Sequence, residues 1–582
     1  MLKNIRSYFY NLKKFQAPLE RYIFPVILLL YPLIGVNQGL DISDTMYSLA
    51  NFEFIETLNP MWLFSTYFSN VTGALIMHLP GSGTMLGFSI YCSFVTSIIA
   101  LFSYYFLKKF MPGWMIFIGE FIAESICFSP RVILYNYLTY LFFTLGTILL
   151  LVGIFGWKRQ NLYLFFAGIF LGLNVMVRFP NIVETSLILV LWFYGFVTKD
   201  RFSEVIKRTG FCILGFLAGF GLPFLYTVIK YGPTAYIQGI AGLFGMTEGA
   251  SDYSSGGMIG LILEAYGTTL SNMFILVPCI AAGIIMFLLI PEKYVMIKKI
   301  LYVCGILVLT KYYFSTGVFT RNYYYYDSMF QAAMMFIIFG IILSVTGSLG
   351  VLNGSRQEQT LAFTALMLIL ITPIGSNNYT FPILNNMFLI APIVLWLFRR
   401  MMQRAGEAHF NFAWQAVFTF ILIVLFIQGA FFHFGYSFMD GADGTPRDSL
   451  VSIDKAKHMV TTQYNAETLE ELSLVLKENN LLGTKVILFG GIPGISYLFD
   501  MTPAIDTTWP DLDSYSIENF DNQLMDLSVS EAPTPTVIIG KDMADYANIG
   551  MKYDILMDYI INHGYNKIFE GERFMVFAQN DR

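Results

Sequence analysis

Residues 22–54 read YIFPVILLLYPLIGVNQGLDISDTMYSLANFEF. From Tyr22 to Leu40 no side chain is charged, and then Asp41 and Asp44 arrive together. An apolar run of about 17–25 residues is long enough to cross a bilayer as a helix. Carboxylates that follow such a run stand at a membrane surface, where they are costly unless solvated, paired or used. Lys3, Arg6, Lys13, Lys14 and Arg21 precede the run, and no further Lys or Arg occurs until Lys108. That asymmetry reads as an uncleaved first span with its N-terminus on the cytoplasmic side.

The rest of the chain extends this pattern. Of 582 residues, 56% are hydrophobic, 17% aromatic and 13% charged, and the mean hydropathy is +0.59. A soluble domain is about 25% charged, so half that charge cannot coat a soluble surface of this size. Collagen-like, coiled-coil, disordered and disulfide-scaffold classes are excluded as well, because apolar content is high, Gly has no period and five Cys are sparse. Apolar runs predict spans near 22–38, 83–107, 111–128, 133–156, 162–177, 182–198, 211–229, 272–290, 300–317, 328–347, 360–375, 383–398 and 412–433. The expected fold is thus a polytopic α-helical membrane protein of about thirteen spans, with the N-terminus in and the C-terminus out. With that topology 20 of the 25 Lys and Arg before Phe434 fall on the cytoplasmic side, as orientation by basic loops requires. Trp114, Trp157, Trp396 and Trp414 fall near the same boundary.

Residues 434–582 differ. They carry 10 Lys and Arg against 23 Asp and Glu, a net of −13, whereas residues 1–433 have a net of +8. Helical ETLEELSLVLKENN and YDILMDYIINHGY alternate with strand-like KVILFGG, TVIIGK and RFMVFAQ. That alternation predicts a small extracytoplasmic α/β domain. GGIPG at Gly490–Gly494 follows a strand but lacks the spacing of a nucleotide loop. No nucleotide cofactor is expected outside the cell, and no nucleic acid is expected as a partner.

Five cations fall on the outer side: Arg131, Arg178, Lys230, Lys311 and Arg321. One alone could snorkel to headgroups; several at one depth could hold a lipid phosphate, which Arg contacts bidentately. Asp41 and Asp44, three apart, share a face if helical. A carboxylate there can act as a general base or ligate a divalent cation, the one cofactor these side chains suggest. A capping role for Asp44 is the bland alternative. The first outer loop, 39–82, continues after Pro60 with Met61, Phe64, Phe68, Val71 and Leu75 at helical spacing opposite Ser, Thr and Asn, which predicts a helix lying in the interface. The second large outer loop, 231–271, is rich in Gly and Ser and suits a lid or a plain connector. Glu120 and Glu124 share a face of the third span and suit pairing with Arg131 or Arg178, or an ion path. Tyr323–Tyr326 suit an aromatic belt or sugar stacking, and the five His make no metal spacing.

Three stretches add a family likeness. The acidic loop after span one, SPRVILYNYLTYLFFTLGTILLL (129–151) and FAGIFLGLNVMVRFPNIVETSLILVLW (166–192) resemble the glycosyltransferase C superfamily. That superfamily of polytopic enzymes includes protein O-mannosyltransferases, the lipid A aminoarabinose transferase and oligosaccharyltransferase catalytic subunits. Asn136 stands where the family usually has Asp, and Arg178 where it has Lys or Arg before a Pro. ISYLFDMTPAIDTTWPDL (495–512) resembles the tail domains of bacterial members. The resemblance implies transfer of a sugar from a polyprenyl-phosphate carrier to a glycan, lipid or protein acceptor on the outer face of a bacterial cell membrane. It implies Asp41 as base with Asp44 in support, and Arg131, Asn136, Arg178 and Arg321 around the carrier phosphate. A lipid-linked glycan flippase or an envelope polysaccharide assembly protein is the alternative.

Overall fold

The computed structural model describes residues 16–579 apart from 128, 157, 246–254, 324, 326, 408–413, 442–443, 531–532 and 544–547. Trp157, His409, Tyr324 and Tyr326 therefore lie outside the described residues. The chain begins as α1 (Phe24–Leu30), flanked by a π turn before it and a 3-10 turn after it. The stretch expected as the first outer loop holds α2 (Asp44–Glu53), α3 (Pro60–Ser65) and α4 (Tyr67–Met77). The interfacial helix expected after Pro60 is thus two helices, broken at Thr66.

The membrane body continues with α5 (Met85–Leu107), α6 (Gly113–Ser125), α7 (Leu134–Ile154) and α8 (Gln160–Val177). A 3-10 stretch from Phe179 to Ile188 leads into α9 (Leu189–Thr198), then α10 (Phe202–Tyr231). The stretch expected as the second outer loop holds α11 (Ala235–Gly245) and α12 (Ser255–Met273), and most of its Gly- and Ser-rich part lies outside the described residues. There follow α13 (Leu276–Leu289), α14 (Val295–Ser315), α15 (Phe330–Ser348), α16 (Arg356–Ile371), α17 (Phe381–Asn385), α18 (Ile390–Glu407) and α19 (Trp414–Gly435). Among the described residues, seven helical stretches are long and apolar enough to cross a membrane. Their outward surfaces carry bare apolar side chains such as Leu222 and Leu289, 70% and 77% exposed, the sign of a lipid-facing wall.

Helix α8 sets the position of one site residue, and glycine decides how it packs. Gly168 and Gly172 meet Gly215 and Gly219 of α10 backbone to backbone. A Cβ on Gly168 would lie 2.0 Å from the Cys212 carbonyl oxygen, and one on Gly215 would lie 1.9 Å from that of Phe165. Small residues at this spacing let two membrane helices approach closely.

The tail forms a four-stranded sheet in the order β3–β4–β6–β5, preceded by a short ribbon of β1 (Ser449–Leu450) and β2 (Val460–Thr461). β3 (Val486–Phe489) runs parallel to β4 (Thr536–Gly540); β6 (Phe574–Ala578) is antiparallel to both β4 and β5 (Asn566–Glu570). Side chains alternate across a strand. Ile487, Phe489, Val537 and Ile539 enter a core with α22 (Ile517–Ser528) and α23 (Ile549–Asn562). Val486, Leu488, Ile538 and Val576 face the other way, into a core shared with Leu40, Ile42, Met46 and Leu49 of the first outer loop. α20 (Gln463–Glu478) contributes Leu469, Leu472 and Leu476 to that shared core. The tail and the first outer loop are one hydrophobic unit.

Polar contacts fasten the same seam. Gly39 N–H donates to the Val460 carbonyl at 2.8 Å, and Asn59 N–H to that of Asp506 at 2.9 Å. Lys455 Nζ bridges Glu53 at 2.6 Å and Asp500 at 2.8 Å. Of the GGIPG glycines, Gly490 lets β3 and β4 approach and Gly494 serves this docking. A Cβ on Gly490 would lie 2.2 Å from the Gly540 carbonyl oxygen; one on Gly494 would lie 2.3 Å from Met46 Cβ. Gly494 opens the short helix α21 (Ile495–Leu498), and its N–H donates to the Ile42 carbonyl at 2.8 Å.

Candidate active site

The two loop aspartates play different parts. Asp41 Oδ1 accepts from the Ser43 N–H at 2.8 Å and from Ser43 Oγ at 2.5 Å, while Oδ2 accepts from the Thr45 N–H at 2.8 Å. Both oxygens thereby satisfy donors at the start of α2, where four N–H groups lack partners within the helix. The capping role considered for Asp44 belongs to Asp41. Asp44 is the first residue of α2, and among the described residues its carboxylate has no hydrogen-bond or ion-pair partner. Burial raises both carboxyls, and the adjacent Asp41 charge adds to the effect on Asp44, which is pushed up to about 7. A carboxyl tuned there is half ionised at neutral pH and suited to taking a proton.

Both aspartates line a cavity of about 520 Å³, within the ordinary range of ligand sites, about 300–1,000 Å³. Arg178 and Asn136 line it too. Arg178 caps α8 with an extended backbone that turns its side chain out of the helix. Its Nη2 donates to the Gly375 carbonyl at 2.7 Å, and the guanidinium lies 5.9 Å from the centre of the Tyr135 ring. Asn136 Nδ2 donates to Ser129 Oγ at 2.7 Å, and the Ser129 N–H donates to Asn385 Oδ1 at 3.1 Å. This chain fixes the loop between α6 and α7 against α17.

Other groups on the wall escaped the sequence reading. Glu184, only 4% exposed, accepts from Asn174 Nδ2. Asn181 Nδ2 donates to Thr139 Oγ1 at 2.8 Å and to the Asn174 carbonyl at 3.0 Å. A carboxylate inside an apolar stretch is itself a signal, and it was available in FPNIVETSL. The tail adds Trp509, Asp513, Asp542 and Arg573. Arg573 Nε lies 3.5 Å from Asp542 Oδ2, and the Trp509 ring sits edge-on to Tyr47 with centroids 5.4 Å apart. No local pattern marks these residues, because the tail meets the loop only in the folded chain, as Trp509 does Tyr47, 462 positions away.

Arg131 and Arg321 do not line this cavity. Arg131 lies behind Asp41 in a smaller pocket of about 80 Å³ with His433 and Ser437, and its Nη2 donates to the Ile34 carbonyl at 3.0 Å. Arg321 is exposed, 5.5 Å from the centre of the Phe314 ring. Glu120 and Glu124 are buried inside α6 with no hydrogen-bond partner on any carboxyl oxygen, so neither pairs with Arg131 or Arg178. Among the described residues no three His, Cys, Asp or Glu gather as metal ligands.

Fold and site together describe a polytopic helical membrane protein whose α/β tail closes a polar cavity. No family model and no curated protein matches the sequence. Solved structures of similar outline include those of the Archaeoglobus fulgidus oligosaccharyltransferase. Its apo form shows a TM-score of 0.45 and 13% identity, covering 85% of this chain and 65% of that one. The form with zinc and sulfate gives 0.45 and 13%, over 89% and 68%. The form with an inhibitory peptide and a dolichol-phosphate gives 0.46 and 12%, over 91% and 70%. This chain thus spans less than two thirds of the apo protein's length.

Proposed function

We propose that the protein is a membrane glycosyltransferase that moves a sugar from a polyprenyl-phosphate carrier to a glycan, lipid or protein acceptor. The observation that carries this is the placing of Asp44 and Arg178 on one cavity wall, a base and a phosphate partner across a ligand-sized space. In this reading the chain crosses the bilayer thirteen times, and the cavity and tail face the outside of the cell. The acceptor O–H or N–H gives its proton to Asp44 as its oxygen or nitrogen bonds to the anomeric carbon. The bond from that carbon to the carrier phosphate breaks, and its electron pair leaves on the phosphate oxygen. Arg178 stabilises that developing charge. Asp41 is assigned the positioning of Asp44 through the α2 turn, the reverse of the order that the family likeness implies. Glu184 and Asn181 keep the Arg178 turn rigid; Arg573 and Trp509 border the acceptor side.

Purified protein incubated with polyprenyl-phosphate sugars and candidate acceptors should release free carrier. Asp44→Asn should lower that rate by roughly 10²–10⁴-fold, the usual contribution of a general base, with expression and membrane insertion retained. Turnover near that of the unmodified protein would overturn the assignment. Movement of labelled lipid across vesicles without carrier release would favour the flippase reading.

A further inference from the structure

Between α13, α14, α15 and α19 lies another cavity, of about 380 Å³, which shares no lining residue with the catalytic one. Its wall is hydrocarbon and aromatic apart from Cys279 and the phenols of Tyr302 and Tyr313. Cys279, Ile280, Leu301 and Gly305 are exposed on it, so it is an open groove whose hydrocarbon wall holds water poorly. Close packing in turn disfavours leaving it empty. The lining runs from Leu276 to Met286 on α13 and from Leu301 to Tyr313 on α14, about 15 and 18 Å at the helical rise of about 1.5 Å per residue. That is about half of a hydrocarbon core some 30 Å thick, the depth one leaflet's acyl chain fills.

A cation stands at one end. Phe319 lines the cavity, and its ring lies 5.6 Å from that of Phe314, over which Arg321 rests at 5.5 Å. The Thr320 carbonyl accepts from Gln428 Nε2 at 2.9 Å, which holds this segment against α19. Among the described residues Arg321 has no hydrogen-bonded or ion-paired anion. α15 separates this cavity from the catalytic one: Met335 and Phe339 line it, whereas Phe330 packs on Phe381 of the catalytic wall.

We propose that this cavity holds one acyl chain of an anionic phospholipid, with the lipid phosphate at Arg321. The site is independent of the transfer reaction, and its single-leaflet depth suits an acyl chain better than a longer polyprenyl tail. The test is native mass spectrometry of the full chain in detergent with phosphatidylglycerol or phosphatidylcholine added. The unmodified protein should retain phosphatidylglycerol about tenfold better. A Cβ on Gly305 meets no atom within 4 Å, so Gly305→Phe should fold, fill the cavity and lose the bound lipid. Arg321→Gln should keep the lipid but lose the preference for phosphatidylglycerol. Equal retention of the two lipids, or undiminished retention in Gly305→Phe, would overturn the proposal. So would stoichiometric displacement of phosphatidylglycerol by a polyprenyl phosphate, which would assign the cavity to the carrier.

Discussion

Asp41 and Asp44 show how three positions separate two uses of one side chain. Uncompensated carboxyls at a membrane boundary stand out in any sequence, so both were legible. Their division of labour was not, because it rests on which of them the start of α2 recruits for its free N–H groups. A pH profile tests that division. Asp44, raised to about 7 by burial and then by Asp41, accepts a proton only when ionised. Turnover should therefore fall about tenfold per pH unit below 7 and level off above it, while any residual rate in Asp44→Asn should lack this acid limb. Asp41→Asn removes the neighbouring charge, which is the smaller cause of the shift. Its acid limb should move to lower pH without returning to the usual carboxylate range. A limb that stays in place would mean the two carboxyls do not sense each other.

Among the elements, long apolar helices were the easiest to read, and in the tail ETLEELSLVLKENN and YDILMDYIINHGY also read as helices, whereas two neighbouring elements did not stand out. IENFDNQLMDLS becomes α22 with only Phe520 and Leu524 buried, too sparse a stripe to stand out. NKIFE becomes β5 at the sheet's edge, where most of its side chains stay partly or fully exposed and no alternation is required. The α8–α10 contact was not legible, because the glycines of either helix do not name the helix they meet. Gly172→Leu should force the helices apart, since a Cβ there would lie 2.3 Å from the Phe216 carbonyl oxygen. The expected result is a lower melting temperature and a displaced Arg178, read as weaker carrier binding. Gly494→Leu, against Met46 Cβ at 2.3 Å, should destabilise the seam by about 1–3 kcal/mol, as overpacking does. Thermal unfolding of the detergent-solubilised protein checks both.

On the scale of the whole molecule, the boundary at residue 434 marks a change in charge and hydropathy but not a boundary in the core. Composition revealed the first because charge sorting is a local property. The second depends on Val486 and Leu488 meeting Ile42 and Met46, a pairing that only the folded chain displays. Removing the tail should then do more than delete a module. A chain ending at Gly435 should leave the first outer loop open to limited proteolysis between residues 39 and 82 and should abolish transfer even with Asp44 and Arg178 intact. Protection of that loop equal to the full chain's would mean it folds unaided.

That shared core also sets a timetable for the protein's birth. Asp41 enters the membrane surface early, whereas Arg573, on the same cavity wall, is made 532 residues later. At about 5–20 residues per second, the ribosome needs on the order of a minute to travel between them. Throughout that interval the loop's apolar face waits uncovered, because Phe574 and Val576 of β6 belong to the core that covers it. A ribosome that stalls late would release a protein with every span in place and no working site.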